Sequence, residues 1–438
     1  MEISTEHMEL DAIFEILKKS TGVTTDSRNC CAGNLFVALK GDAFDGNKFA
    51  AAALEAGCSH AIIDEAEYAL DDRYILVDDA LDTYQQLARL YREQFDLRVV
   101  GITGTNGKTT TKELVTAVLS EQYKVLSTQG NFNNDVGVPK TLFALDASHD
   151  IAIVEMGASH PGDIKRLVEI VEPQYGLITN VGRAHLQGFG SFEGVKHTKG
   201  ELYDYLRSQP GTTVFVNGGD HDLMGMAKGI NTVTYGLEGP QGMLVAGRII
   251  ECSPKLSFEW ESAGESHRVD TQLVGSYNIY NMLAAVCVGL SFGVDAQKIC
   301  HALSSYVPRN NRSQLDDTGR NTLLVDAYNA NPTSMAAAIA NFALIKADHK
   351  MAILGDMKEL GADSQAEHQR VVDQLTDAGI ESIWLVGDEF GHIPCPYRKF
   401  HDVEEVKAAI GSETITGRFI LIKGSNSTRL SQLVEVLK

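Results

Sequence analysis

The chain has 438 residues, 44% of them hydrophobic and 22% charged, an ordinary globular mixture. That length suits about two to four domains. A formal net charge of −20 with no local basic stripe argues against a nucleic-acid partner, so any anionic ligand must be met by local Lys, Arg, helix ends or metal.

The seven cysteines are scattered and form no C-x-x-C pair, which argues against a disulfide framework or a zinc site and for a reducing cytoplasm. No apolar run approaches the ~20 residues of a membrane span, and the polar, acidic start does not read as a signal peptide.

The first 97 residues predict a small α/β unit. "NLFVAL" and "HAIID" read as strands; "FAAAALEAG" and "YQQLARLYREQF" have helical spacing, with Leu87, Leu90 and Tyr91 on one face. "TTDSRN" and "KGDAFDGNKF" concentrate turn formers around Ser27, Arg28 and Lys40, three candidate anion contacts.

"VVGITGTNGKTTTKELV" follows: a β-favouring run, a loop punctuated by Gly104 and Gly107 around Thr105 and Asn106, then Lys108, Thr109 and Thr110 opening a helix. This is the form of a phosphate-binding loop, whose backbone N–H groups and helix N-terminus face the anion. Lys108 is placed to reach the β- and γ-phosphates, and the Thr109 hydroxyl to ligate Mg²⁺. The strict pattern has glycine where this chain has Ile102, with Gly101 one residue early.

Short apolar runs then alternate with helical stretches: "YKVLST", "IAIVEMG", "YGLITNV" and "TTVFVN", the pattern of a buried parallel sheet. Ligands bind beyond the carboxyl ends of such strands. There the sequence offers Asn131, Asn133, Asn134 and Asp135, then Glu155, then Asn180 and His185, then helical Lys196 and Lys199. A glutamate closing an apolar strand is costly unless it meets a cation, which Mg²⁺ on phosphates supplies. His185 and Lys199 taken singly also read as a structural histidine and a solvated lysine. Residues 242–275 alternate without intervening helices and predict a small antiparallel sheet appended to the same domain, and "NIYNMLAAVCVGLSFG" predicts a helix ending at Gly293.

Pro308 to Arg312 read as a hinge. Beyond it "TLLVDAY", "KMAILGD", "SIWLVGD" and "RFILIKGS" predict a second βαβ sheet of dinucleotide-fold type. Asp326 ends a strand, Asn331 precedes Pro332 as a helix N-cap or a ligand contact, and Asp356, Lys358, Glu359 and His368 cluster after another strand. No nucleophile triad is visible. The chemistry implied is phosphoryl transfer from ATP.

"GTNGKTT", "GNFNNDVGVP", "VEMGAS", "NVGRAHLQGFGSFEGVKHTKGEL", "DAYNANPTSM" and "LGDMKELGADSQAEH" stand in the order seen in the Mur ligases. The chain resembles that family throughout, and "DAYNANP" with "GDMKELG" resembles its MurF branch, which adds D-alanyl-D-alanine. The resemblance implies three α/β domains: residues 1–97 for the UDP-sugar, 98–309 with a central P-loop-type parallel sheet for ATP, and a Rossmann-like 310–438 closing over both. It implies an ATP-dependent ligase acting on UDP-N-acetylmuramoyl-tripeptide and D-alanyl-D-alanine through an acyl phosphate, expected as a cytoplasmic monomer.

By position, Thr109, Glu155, His185 and Lys199 would hold two Mg²⁺ ions, with Lys199 carbamylated and Lys196 its rival. Asn281, Arg312 and Asp326 match nucleotide contacts. Ser27, Arg28, Lys40, Asn133, Asn134, Asp135, Asn329, Asn331, Asp356 and Glu359 are the expected substrate contacts. Tyr277 and Asn47 stand where relatives often carry histidine. The alternatives are another Mur or folylpolyglutamate-type amino acid ligase, or a nucleotide-driven switch.

Overall fold

The computed structural model describes residues 7–41, 43–184, 186–237, 242–309 and 311–438. Contacts group the chain into two compact units, one of residues 1–101, 124–156 and 165–174, the other of 102–123, 157–164 and 175–438. The division passes through the strand Arg98–Thr103, which feeds the phosphate loop.

In the first unit four parallel strands lie in the order Val23–Thr24, Leu35–Val37, His60–Ile63, Tyr74–Leu76. Alternate residues of a strand face opposite sides. Leu35, Val37, Ile62 and Ile75 accordingly pack on Ile13, Leu17, Tyr84 and Leu87 of the helices Leu10–Lys19 and Ala80–Arg92. Phe36, Ala38, Ala61 and Ile63 pack on Ala50, Ala53 and Leu54 of the helix Ala50–Glu55. Burial on both faces is why these strands read as unbroken apolar runs. The same unit holds the parallel pair Val125–Ser127 and Ile151–Glu155. Gln85 donates its Nε2 to the carbonyl of Asp135 at 3.0 Å, tying the Ala80–Arg92 helix to the asparagine loop.

In the second unit the strands Tyr175–Ile178, Thr213–Asn217, Asn231–Leu237 and Val245–Cys252 run parallel in that order. Lys255–Ser262 and Glu265–Val274 then continue the sheet antiparallel. The predicted antiparallel strands are therefore present, and they continue the parallel sheet through Val245–Cys252. The helix Ile279–Ser291 is buried nearly all round, as a helix apolar on every face must be. Gly289 lets it approach Val118 of the phosphate-loop helix, since a Cβ there would lie 2.5 Å from Val118 Cγ1.

The C-terminal sheet has the order Gln314–Asp317, Thr322–Asp326, Phe419–Lys423, Lys350–Gly355, Ser382–Val386, Arg398–Phe400, with only the first strand antiparallel. Leu324, Leu354, Leu385 and Leu421 face one layer; Leu323, Val325, Ile353 and Ile422 face the other. Among the described residues no helix is long and apolar enough to cross a membrane.

Candidate active site

The phosphate loop is shaped by two glycines. Gly104 has φ +141°, and a Cβ there would sit 2.0 Å from Thr179 Oγ1; Gly107 has φ +77°, with a Cβ 2.6 Å from Asn281 Oδ1. Only glycine meets both demands. The helix Lys108–Ser120 starts directly after Gly107.

Asn180 holds the loop from the neighbouring strand. Its Oδ1 accepts from Asn106 N at 3.0 Å, its Nδ2 donates to Asn106 O at 2.9 Å, and Thr179 Oγ1 donates to the same carbonyl at 2.7 Å. Lys108 folds over the loop, its Nζ donating to the carbonyls of Gly104 at 2.8 Å and Thr105 at 3.1 Å. Thr109 is buried and Thr110 half-buried on the first helical turn. Asn281 accepts from Thr111 Oγ1 at 3.1 Å and donates to Asn278 Oδ1 at 2.9 Å, so its amide braces the start of this helix.

Lys199 lies on the helix Phe192–Ser208, capped by Ser191, and is 2% exposed. Burial, then the positive charge of Lys108, drive its pKa well below the ordinary lysine value, against a weaker pull from Asp163 and Glu201. Its Nζ stands 5.5 Å from the centre of the Phe189 ring. Lys196, three residues earlier, is instead committed to an ion pair with Asp222, which raises its pKa. A lysine tuned toward neutrality and a lysine pinned as a cation have separate chemistry. His185 lies outside the described residues.

In the first unit Glu155 closes its strand fully buried, its Oε1 accepting from Asn133 Nδ2 at 2.8 Å and its N–H donating to Thr128 Oγ1 at 3.0 Å. A carboxylate held in that surrounding suits a cation ligand. Asn134 Oδ1 accepts from Gly137 N at 2.8 Å, bracing the turn into the helix Gly137–Leu142. Arg28 forms a two-pronged pair with Asp26, at 2.9 and 2.8 Å, that brings the Asp26 carboxyl down to about 2. Ser27 opens the short 3₁₀ turn that Asp26 caps. Lys40 pairs with Asp64 at 2.9 Å and Glu65 at 2.8 Å, both of which raise its pKa. Asn47, where histidine was expected, donates to Asp45 and Asp64 and accepts from Asp64 N at 3.1 Å, a buried clamp between two loops.

The C-terminal candidates separate. Arg312 stacks on Tyr328, its Cζ 3.7 Å from the ring centre, and its buried Nε has no hydrogen-bond partner among the described residues. Asn311 and Ser313 on either side both have left-handed backbone, φ 56° and 46°, uncommon without glycine. Tyr277, the other departure from histidine, bonds Ser313 Oγ at 3.0 Å and so steadies this segment. Asp326 pairs with buried Lys423 at 2.5 Å, and Lys423 also donates to Asn329 O at 3.3 Å.

Asp356 is 1% exposed and accepts from the N–H groups of Glu389 at 3.1 Å and Phe390 at 3.0 Å. Its carboxylate is thus a structural anchor, occupied by backbone. Glu359 is exposed, with φ 63°, and its carbonyl accepts from Gln187 N at 3.3 Å. Sequence reasoning missed Tyr328 and Lys423. Tyr328 had a usable signal, standing two residues beyond a strand end.

Three family descriptions match in succession: the Mur ligase family catalytic domain over residues 19–92, the Mur ligase middle domain over 102–289, and the Mur ligase glutamate ligase domain over 311–426. The UDP-N-acetylmuramoyl-tripeptide–D-alanyl-D-alanine ligase of Bacillus subtilis (strain 168) is 33% identical over 429 residues, covering 95% of this chain and 93% of its own. The chain belongs to the Mur ligase family. Among solved Mur ligases, MurF from Acinetobacter baumannii superposes with a TM-score of 0.86 at 29% identity, covering 97% of each chain. MurF ligase from Thermotoga maritima in complex with ADP gives 0.86 at 28% identity, over 97% of this chain and 98% of that one. The fold class expected from the Mur ligase resemblance is therefore the one found.

Proposed function

We propose that this chain joins D-alanyl-D-alanine to UDP-N-acetylmuramoyl-tripeptide with cleavage of ATP to ADP and phosphate, completing the UDP-linked pentapeptide precursor of peptidoglycan in the cytoplasm. The carrying observation is likeness along the whole chain to ligases of that name, 33% identical over 95% of its length. We further propose three working domains, residues 1–97, 98–309 and 310–438, for UDP-sugar, ATP and amino component.

The terminal carboxylate of the tripeptide attacks the γ-phosphorus of ATP; the bond to the bridging oxygen breaks and ADP leaves. The neutral amine of D-alanyl-D-alanine then attacks the acyl carbon, the nitrogen gives up one proton, and collapse of the tetrahedral intermediate breaks the C–O bond, so that phosphate leaves with that proton and an amide remains. Charge accumulates on phosphoryl oxygens throughout. Fixed donors aimed at those oxygens therefore lower the barrier. Lys108 and the amides that open the Lys108–Ser120 helix are such donors, preset by Gly104 and Gly107.

The Thr109 hydroxyl, the buried Glu155 carboxylate, His185 and Lys199 are assigned to two Mg²⁺ ions, which would supply Lewis acidity and neutralise phosphate charge. An ammonium at Lys199 would oppose a cation. Its lowered pKa supports a different state. The neutral amine attacks CO₂, a C–N bond forms, one proton leaves, and a carbamate with carboxylate-like oxygens results. Asn281, Arg312 and Asp326 are assigned to the nucleotide. Ser27, Arg28, Lys40, Asn133, Asn134, Asp135, Asn329 and Glu359 are assigned to substrate.

The test is phosphate release with UDP-tripeptides carrying meso-diaminopimelate or lysine, each offered D-alanyl-D-alanine or single amino acids, with products weighed by mass spectrometry. Turnover only with a single amino acid would overturn the proposal.

A further inference from the structure

Two side-chain amides 225 residues apart meet face to face. Asn331 Nδ2 donates to Asn106 Oδ1 at 2.7 Å, and Asn106 Nδ2 points back at Asn331 Oδ1 at 3.5 Å. Asn106 is the tip of the phosphate loop; Asn331, 6% exposed, is the N-cap of the helix Pro332–Leu344. The Asn331 side chain works in two directions. Its Oδ1 accepts from Ser334 N at 2.9 Å while Ser334 Oγ accepts from Asn331 N at 3.1 Å, a reciprocal capping box. The cap fixes the amide, and the fixed amide meets the loop.

Next to it, Thr333 Oγ1 would stand 3.2 Å from a Cβ on Gly182, whose N–H donates to Thr105 Oγ1 at 2.9 Å. The main chain of Asn106 is already gripped on both its N–H and its carbonyl by Asn180 and Thr179. Its side chain is the remaining freedom, and Asn331 takes it.

We propose that Asn331 is a positioning residue for the nucleotide: by bonding Asn106 it makes the anion-binding shape of residues 104–108 depend on the seating of the Pro332–Leu344 helix. This replaces the expectation that Asn331 contacts substrate, and it rests on reading residues 104–110 as the phosphate loop. Preorganised donors bind better than donors that must be ordered at the moment of binding, so a loop released from Asn331 binds triphosphate less tightly. The coupling runs through one cross-chain amide pair, and substitutions at its two ends should not add.

The experiment measures binding of the Mg²⁺ complex of β,γ-methylene-ATP to the full chain by calorimetry. Asn331→Ser keeps an N-cap oxygen but is too short to reach Asn106; Asn106→Ser cuts the pair from the other side. Each single variant is expected to weaken binding about fivefold to tenfold, and the double variant no more than either single. Ser334→Ala removes the Asn331 N–Ser334 Oγ bond but keeps the backbone N–H of residue 334 that fixes the Asn331 amide, so it is expected to lower the thermal midpoint and leave nucleotide affinity unchanged.

Unaltered affinity in both single variants overturns the proposal, as do losses that multiply in the double variant. Lys108→Ala separates the two layers. If it abolishes binding while the asparagine variants are silent, only the Asn331 role fails. If Lys108→Ala binds normally, the phosphate-loop reading fails with it.

Discussion

Lys108 and Lys199 oppose each other: the charge of the first lowers the pKa of the second, which burial has already driven down. Two cations brought together inside a protein are tolerated when one sheds its proton. Because the folded-state pKa lies below 10.5, the unfolded chain binds the extra proton between the two values, and this group's contribution to stability rises with pH across that window.

A carbamate at Lys199 should therefore form from dissolved CO₂. Lys199→Ala is expected to lose activity by about 10- to 100-fold, the scale of losing metal-site support, with partial recovery on adding acetate. Carbon-13 NMR of protein in labelled bicarbonate should give a carbamate signal that the variant lacks. Full activity in Lys199→Ala would remove the role.

Lys108→Ala should lower kcat by about 10²- to 10³-fold, as expected when one fixed donor to a developing oxyanion is lost. Steady-state phosphate release measures it. The fold should survive, since the hydrogen bonds of its Nζ to the carbonyls of Gly104 and Thr105 lie within its own loop.

Tyr328 positions Arg312 by stacking beneath its guanidinium at 3.7 Å. A desolvated cation–π contact is worth ~0.5–2 kcal/mol, so Tyr328→Leu should raise the KM for ATP by about 2- to 30-fold. Tyr328→Phe keeps the ring face and should match the parent. Equal KM values for Leu and Phe variants would refute the stacking role.

Asp356→Ala leaves the N–H groups of Glu389 and Phe390 without their acceptor. The loss is about 1–3 kcal/mol per buried orphaned donor, readable in urea unfolding. The KM for D-alanyl-D-alanine should follow stability only; a raised KM in a stable variant would return Asp356 to the substrate site.

His368 is fully buried and accepts from Met357 N at Nε2, 3.1 Å, while Nδ1 faces Ser364 O at 2.7 Å. Burial lowers its pKa below 6.5, outweighing the hydrogen bond to the Ser364 carbonyl and the charges of Asp356 and Glu389, with Lys358 adding to the lowering. The unfolded chain then binds more protons below 6.5, so this stability is complete above that pH and is lost as pH falls toward the folded value. Urea midpoints should drop from pH 7 to pH 5, and less steeply in His368→Phe.

The sheets were legible because strands buried on both faces must be apolar at every position, as in "RFILIK" and "IAIVE". The phosphate loop was legible because Gly104 and Gly107 have no substitute at their backbone angles. The antiparallel strands were legible as strands, yet not their continuity with the parallel sheet, since pairing partners leave no local mark in the composition.

Composition and local pattern alone determined the strand runs, the phosphate loop and the polar groups at strand ends, because each is imposed by steric or solvation demands acting within a few residues. Folding decided how those groups are used. It paired Lys196 with Asp222 and buried Lys199 near Lys108. It spent the Asp356 carboxylate on backbone and put Asn331 against Asn106. Charge state and partner choice depend on burial and on neighbours distant in sequence, and only the folded chain brings those neighbours within hydrogen-bond reach.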